Sequence, residues 1–286
     1  MTAYVAKLPD ANGMVSYDEI ENDTWSFLYS RQMNLIQQRA CAEYLNGLDV
    51  LGLNRFAVPQ LPDVNKALRN ASGWEVAAVP ALIPFAEFFQ LLADRKFPAA
   101  TFIRTPNEID YLQEPDIFHE IFGHCPLLTD PVFANFVHNY GKMGVKASPI
   151  QRRYLARVFW FTVEFGLIQN QQEQRIYGAG ILSSPSETVY SLEDSKAKRV
   201  PFSLQRALRT PYRIDILQPQ YFVIDSFEQL FESMNESIFD EIEQAIELGD
   251  FEPLFEVASQ KGKVTTERES PKAPASKKQV FEQHDC

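Results

Sequence analysis

A carboxylate set inside an apolar run constrains this chain more than any other feature of its sequence. Glu164 stands in Val158-Phe-Trp-Phe-Thr-Val-Glu164-Phe-Gly-Leu-Ile168, where nearly every face of a helix is apolar. An ionised carboxylate buried there without a partner costs on the order of several kcal/mol or more. It must be protonated, paired with a cation or bound to a metal. The nearest basic residue in the segment is Arg157, seven residues earlier. A fold that buries this run must bring a partner from elsewhere in the chain.

Histidine is scarce, with four in the whole chain, and two of the four lie close together in Glu114-Pro-Asp-Ile-Phe-His119-Glu-Ile-Phe-Gly-His124-Cys-Pro126. The string invites comparison with the HExxH of zinc proteases, but its second histidine comes one residue late. Five residues at 100° each put the two imidazoles about 140° apart on an ideal helix, not on one face. The spacing predicts convergence only if the helix ends between them. Gly123 is a natural C′ residue and Pro126 opposes continuation, so His119 is expected in the last helical turn and His124 in the loop beyond. Two hydrogen-bonded core histidines remain the alternative for this stretch taken alone. Together with Glu164, the two imidazoles make a 2-His-1-carboxylate set, which leaves positions open on Fe(II) and suits O₂ chemistry.

Periodicity elsewhere predicts a mainly α chain with small β elements. Apolar spacing marks helices over 24–51 (stopped by Gly52), 85–93, 116–122, 131–143, 151–169 and 227–248, and short strands over 74–79, 99–104 and 221–224. The last helix carries a stripe of Phe227, Leu230, Phe231, Met234, Ile238, Ile242 and Ile246, which reads as closing the core. The expected organisation is a flexible lead-in over 1–20, one catalytic domain over 21–257 and a disordered tail over 258–286, where six basic and four acidic side chains accompany Ser, Pro and Ala.

Charge and cysteine narrow the function classes. A net charge of −11 disfavours a phosphate backbone as partner, so no nucleic acid is expected. The longest apolar stretch, 77–93, is interrupted by Pro80, Pro84, Glu87 and Gln90, so no membrane span is expected. Three scattered cysteines and a start without signal-peptide features predict a cytoplasmic protein with free thiols. The 22 Phe, 11 Tyr and 3 Trp are more than a core of this size ordinarily holds, and composition alone leaves open whether some of them face an aromatic ligand.

Several collinear strings then resemble the aromatic amino acid hydroxylase family in its short bacterial form. They are Gly73-Trp-Glu-Val76, Phe102-Ile-Arg104, the His119–His124 segment with its Glu114-Pro-Asp lead, Trp160-Phe-Thr-Val-Glu-Phe-Gly-Leu167, Tyr177-Gly-Ala-Gly-Ile-Leu-Ser-Ser184 and Tyr221-Phe-Val. The resemblance covers roughly residues 24–248. It implies a single catalytic domain of that type, holding a mononuclear non-haem Fe(II) and using a tetrahydropterin (tetrahydrobiopterin or a relative) with O₂ to hydroxylate L-phenylalanine to L-tyrosine. It implies His119, His124 and Glu164 as metal ligands, Arg104, Tyr111, Leu112, Trp160 and Ser183 around the substrate, and Ala81, Leu82, Ile83, Phe88 and Glu120 around the pterin. Arg104 suits a substrate carboxylate on physical grounds too, because a guanidinium fork binds one in two parallel hydrogen bonds. Leu112 and Phe159 depart from the animal pattern, and the apolar Ile214 favours phenylalanine over tyrosine as substrate. The same scaffold acting on tryptophan is the nearest alternative; a zinc hydrolase or a non-catalytic binding protein lies further off. The assembly expected is a monomer or small homo-oligomer.

Overall fold

Asp18 and Glu21 open the first helix reciprocally: the Asp18 carboxylate accepts from Glu21 N at 2.9 Å, and Glu21 accepts from Asp18 N at 2.8 Å. In this computed structural model, which describes residues 4–80, 83–110, 112, 114–171 and 173–256, helix α1 runs over Glu19–Ile36 and α2 over Ala42–Leu51. The single helix expected over 24–51 is therefore two. The backbone between them is captured by a strand: Ile176 N donates to Arg39 O at 2.8 Å and Cys41 N to Ile176 O at 2.9 Å. Gly52 ends α2 in the left-handed region (φ 64°), as its sequence position suggests.

Helix α3 (Leu61–Ser72) leads into a parallel pair, β1 (Glu75–Val79) and β2 (Lys96–Ala100), connected by α4 (Phe85–Ala93). Strand β2 lies three residues earlier than the pattern predicts. Residues 101–104 leave the sheet because their backbone is held elsewhere: Phe102 O accepts from Ile117 N, and Arg104 N donates to Asp116 Oδ2, both at 2.9 Å. After α5 (Pro131–Lys146) and α6 (Pro149–Phe159), a four-stranded sheet forms in the order β4-β3-β6-β5. Its strands are β3 (Gly166–Asn170), β4 (Glu173–Ile176), β5 (Lys198–Pro201) and β6 (Gln220–Ile224), with α7 (Ala179–Leu182), α8 (Pro185–Glu193) and α9 (Leu204–Arg209) between them.

Strand β3 overturns the helix predicted through residue 169. Gly166 enforces the change, since a Cβ there would lie 2.0 Å from the Tyr177 ring and 2.5 Å from Thr162 O. The helix predicted over 227–248 is also two, α10 (Phe227–Ser233) and α11 (Ile238–Leu248). Asn235 breaks it by donating to Glu232 O at 2.8 Å and accepting from Ser237 N at 2.9 Å. The stripe nevertheless buries Leu230, Met234, Ile238 and Ile242 completely, while Phe231 and Ile246 are exposed.

Residues up to Leu254 make one compact unit. Ahead of α1, Tyr4 stacks on Phe102 with centroids 4.9 Å apart and donates to Glu108 Oε1 at 2.6 Å. The segment read as a tail, 258–286, lies outside the described residues. Among the described residues, no helix is long and apolar enough to cross a membrane.

Candidate active site

The two histidines meet by a route that the spacing argument did not foresee. Phe118–His124 is a π-helical turn, and the chain does not stop at Gly123. Hydrogen bonds from i to i+5 widen the turn, so a residue comes to lie nearly over the one five positions earlier. The 140° separation computed for an α-helix therefore closes. His119 Nε2 and His124 Nε2 lie 3.1 Å apart with their rings perpendicular. Aromatic packing holds this turn in the core: Phe118 stacks on Phe122 at 4.8 Å, Trp25 meets Phe118 edge-on, and the Tyr44 hydroxyl donates to Phe122 O at 2.6 Å.

Glu164 ends a second π-turn, Trp160–Glu164, marked by Phe165 N donating to Trp160 O at 2.9 Å. Its Oε1 is 3.3 Å from His124 Nε2 and its Oε2 3.6 Å from His119 Nε2. Helix α7 sits against this turn, and the Tyr177-Gly-Ala-Gly string explains how. A Cβ on Gly178 would lie 2.4 Å from Glu164 O. Ser183, at the end of α7, is 2.8 Å through its Oγ from His119 Nδ1 and donates to Ala179 O at 2.8 Å. The hydroxyl thereby fixes the imidazole so that Nε2 faces His124 and Glu164.

Electrostatics suit this trio to a divalent cation. Burial pushes His119 down to about 4, so it stands as a neutral imidazole at neutral pH. Burial acts to raise the Glu164 carboxyl, but the neighbouring His124 and His119 outweigh it and hold the group below the usual range, ionised. Glu120 also lies close enough to join a cluster with His119 and His124. Burial, with Glu164 and Asp116 adding to it, pushes its carboxyl well up, whereas that of Glu164 is held down, so of the two carboxyls Glu164 is the better suited to a cation. Neighbouring ligands at ~2.1 Å from an octahedral ion stand ~3 Å apart. The separations of 3.1, 3.3 and 3.6 Å fit that requirement.

Arg104 is not the end of a strand but the start of a buried ion pair. Its Nε donates to Asp116 Oδ2 at 2.8 Å and its Nη2 to Asp116 Oδ1 at 2.9 Å. Asp116 is fully buried, accepts also from Arg104 N and His119 N, and is held below the usual carboxylate range by Arg104 against the cost of burial. Among the described residues, the pair leaves Arg104 Nη1 uncommitted. Sequence reasoning passed over Asp116, although an Asp three residues before His119 has the spacing of a helix-capping side chain.

The aromatic residues named from sequence pack among other rings. Trp160 opens the π-turn that Glu164 closes. Its ring packs on Phe165 at 4.5 Å and Tyr212 at 4.7 Å, and its indole N–H donates to Gln218 Oε1 at 3.0 Å. Phe88 is half-buried and meets Phe159 edge-on at 5.3 Å, while Phe159 in turn stacks on His124 at 6.2 Å. Ile83 and Leu112 are half-buried. Ala81, Leu82 and Tyr111 lie outside the described residues.

Known proteins match this chain over most of its length. The family described as "Biopterin-dependent aromatic amino acid hydroxylase" matches residues 2–270. A phenylalanine-4-hydroxylase of Pseudomonas aeruginosa is 56% identical over 254 residues, covering 89% of this chain and 97% of the relative. The solved phenylalanine hydroxylase of Legionella pneumophila superposes with a TM-score of 0.86 at 52% identity, covering 88% of this chain and 100% of that one. That of Chromobacterium violaceum with bound oxidised Fe(III) superposes at 0.82 with 44% identity, covering 88% and 94%. With its fold and nearly its whole length shared in this way, the chain belongs to the biopterin-dependent aromatic amino acid hydroxylases.

Proposed function

We propose that this chain hydroxylates L-phenylalanine to L-tyrosine with O₂ and a tetrahydropterin, and that His119, His124 and Glu164 hold its Fe(II). The observation that carries the reading is the convergence of two imidazoles and one ionised carboxylate within 3.1–3.6 Å, from two separate π-turns. The names of relatives at 44–56% identity support phenylalanine as substrate. Fe(II) held by three protein donors keeps positions open and, with the pterin, supplies O₂ activation.

The protein's own groups do the rest. Arg104, braced by Asp116, offers Nη1 to the substrate α-carboxylate. Trp160 gives the substrate ring an aromatic surface, with Leu112 beside it, and Ser183 keeps the His119 imidazole turned towards the other two donors. Phe88, Ile83 and the acid Glu120 face the pterin. A protonated carboxyl both donates and accepts, which matches the mixed donor and acceptor edge of a pterin. The free thiols of Cys41 and Cys125 support a cytoplasmic location, and a monomer or small homo-oligomer is the assembly proposed.

Reconstitution with Fe(II) under anaerobic conditions, then exposure to O₂ with phenylalanine, tests the proposal. Tyrosine should form only when a tetrahydropterin is present. Preferential turnover of tryptophan, or equal turnover with zinc, would refute it.

A further inference from the structure

One buried amide links Trp160 to the surface loop that follows α9, and neither the metal site nor the family strings account for it. Gln218 is 1% exposed. Its Oε1 accepts from the Trp160 indole, and its Nε2 donates to Arg213 O at 2.9 Å and Ile216 O at 3.0 Å. The indole can only donate, so it fixes which end of the amide faces it, and both amide hydrogens then fall on the two carbonyls. The Gln218 backbone is pinned as well: its N–H donates to Glu187 Oε1 at 3.0 Å, and the same oxygen accepts from the Tyr221 hydroxyl. Glu187 lies in the first turn of α8, shortly after Ser183.

We propose that Gln218 is a positioning residue for the substrate, setting the plane of the Trp160 indole and tying it to the 212–216 loop. Tyr212, at the start of that loop, stacks on the indole at 21°, and Ile214 sits on the same loop. One amide therefore holds the ring that faces the substrate and the loop carrying Ile214, the position at which sequence favours phenylalanine. The inference rests on the reading that Trp160 lies against the substrate ring.

Gln218→Met, close in length but unable to make these bonds, is compared with Trp160→Phe and the double variant in the Fe(II)-loaded full chain. The expected result for Gln218→Met is a KM for phenylalanine raised about tenfold, with kcat within threefold of wild type and a smaller preference for phenylalanine over tryptophan. On the Trp160→Phe background the same change should raise KM less than it does in wild type, because the bond to the indole is already gone and only the two bonds to the loop remain to be lost. An unchanged KM, or full additivity with Trp160→Phe, overturns the proposal. A wild-type KM in Trp160→Phe alone would sink the reading of Trp160 and this inference with it. Should the Met variant not fold, Trp160→Phe tests the link from its other end. Deprived of the indole donor, the loop should be cut by trypsin at Arg213–Ile214 several-fold faster, and an unchanged cleavage rate overturns the proposal.

Discussion

Removing the Asp116 carboxylate tests whether a buried ion pair sets up the substrate end of the site. Asp116 is fully buried and Arg104 is 8% exposed, so water cannot replace either partner. Asp116→Ala strands the guanidinium and also leaves the backbone N–H groups of Arg104 and His119 without their acceptor. Breaking a buried pair by deleting one partner costs about 3–5 kcal/mol, because an uncompensated charge stays behind. Against a typical stability of about 5–15 kcal/mol, that is a large share. Each kcal/mol shifts the melting temperature by about 2–4 °C in a domain near this size, so Asp116→Ala should melt about 10 °C lower. The discriminating partner is Arg104→Met/Asp116→Ala, which removes the stranded charge and leaves only the two backbone groups, at about 1 kcal/mol each. It should be about 2 kcal/mol more stable than Asp116→Ala in urea denaturation of the metal-free chain, yet have a KM for phenylalanine at least as high. A double variant no more stable than the single one refutes the stranded-charge account. A double variant with wild-type KM refutes the role given to Arg104.

Other consequences follow from the same geometry. The folded His119 imidazole takes its proton only near 4, against ~6.5 in an unfolded chain, so between these values the unfolded state binds the extra proton. The metal-free protein should therefore lose stability, by an order of 3 kcal/mol, as pH falls from about 6.5 to about 4; the depressed Glu164 acts in the same direction, and a flat urea midpoint across that range contradicts it. Ser183→Ala frees the His119 ring and should weaken Co(II) binding by about 10- to 100-fold in calorimetry while leaving the fold intact. Gly166→Ala forces a methyl into the Tyr177 ring and Thr162 O, and should cost about 3 kcal/mol in thermal unfolding, since backbone on one side cannot yield.

Where periodicity reports burial alone, the sequence is a faithful guide. Helix α4 begins and ends at the predicted residues, and the apolar stripe of 227–248 buries four of its seven members completely even though the helix is broken in two. Strands β3, β4 and β5 escaped because their information is not local. Residues 166–169 are apolar enough to continue a helix, and the Tyr177 ring, the antiparallel partner β4 and the parallel partner β6 turn them into a strand. Gln218 and Asp116 escaped for a related reason: a buried polar residue shows its importance through its partners, and those lie at 160, 187, 213 and 216 for Gln218.

The proposed donors stand out in the sequence by type and not by geometry, and the π-turns are why. Hydrophobic spacing assumes a period of 3.6 residues, so an i, i+5 pair of histidines looks divergent and requires an invented helix end. The real solution keeps the chain helical and inserts the extra residue into the turn, where it misaligns the backbone ladder and must be supported from outside. That support is visible: Tyr44 donates to the Phe122 carbonyl, and α7 closes on the second turn through a glycine where no Cβ fits. Two rare turns in one chain, each ending on a proposed metal donor, are thus an arrangement in which core packing stabilises a backbone that local propensity would not choose. The aromatic surplus noted in the composition fits the same logic, since Phe118, Phe122 and Trp25 clamp the first turn while Trp160 and Phe165 flank the second.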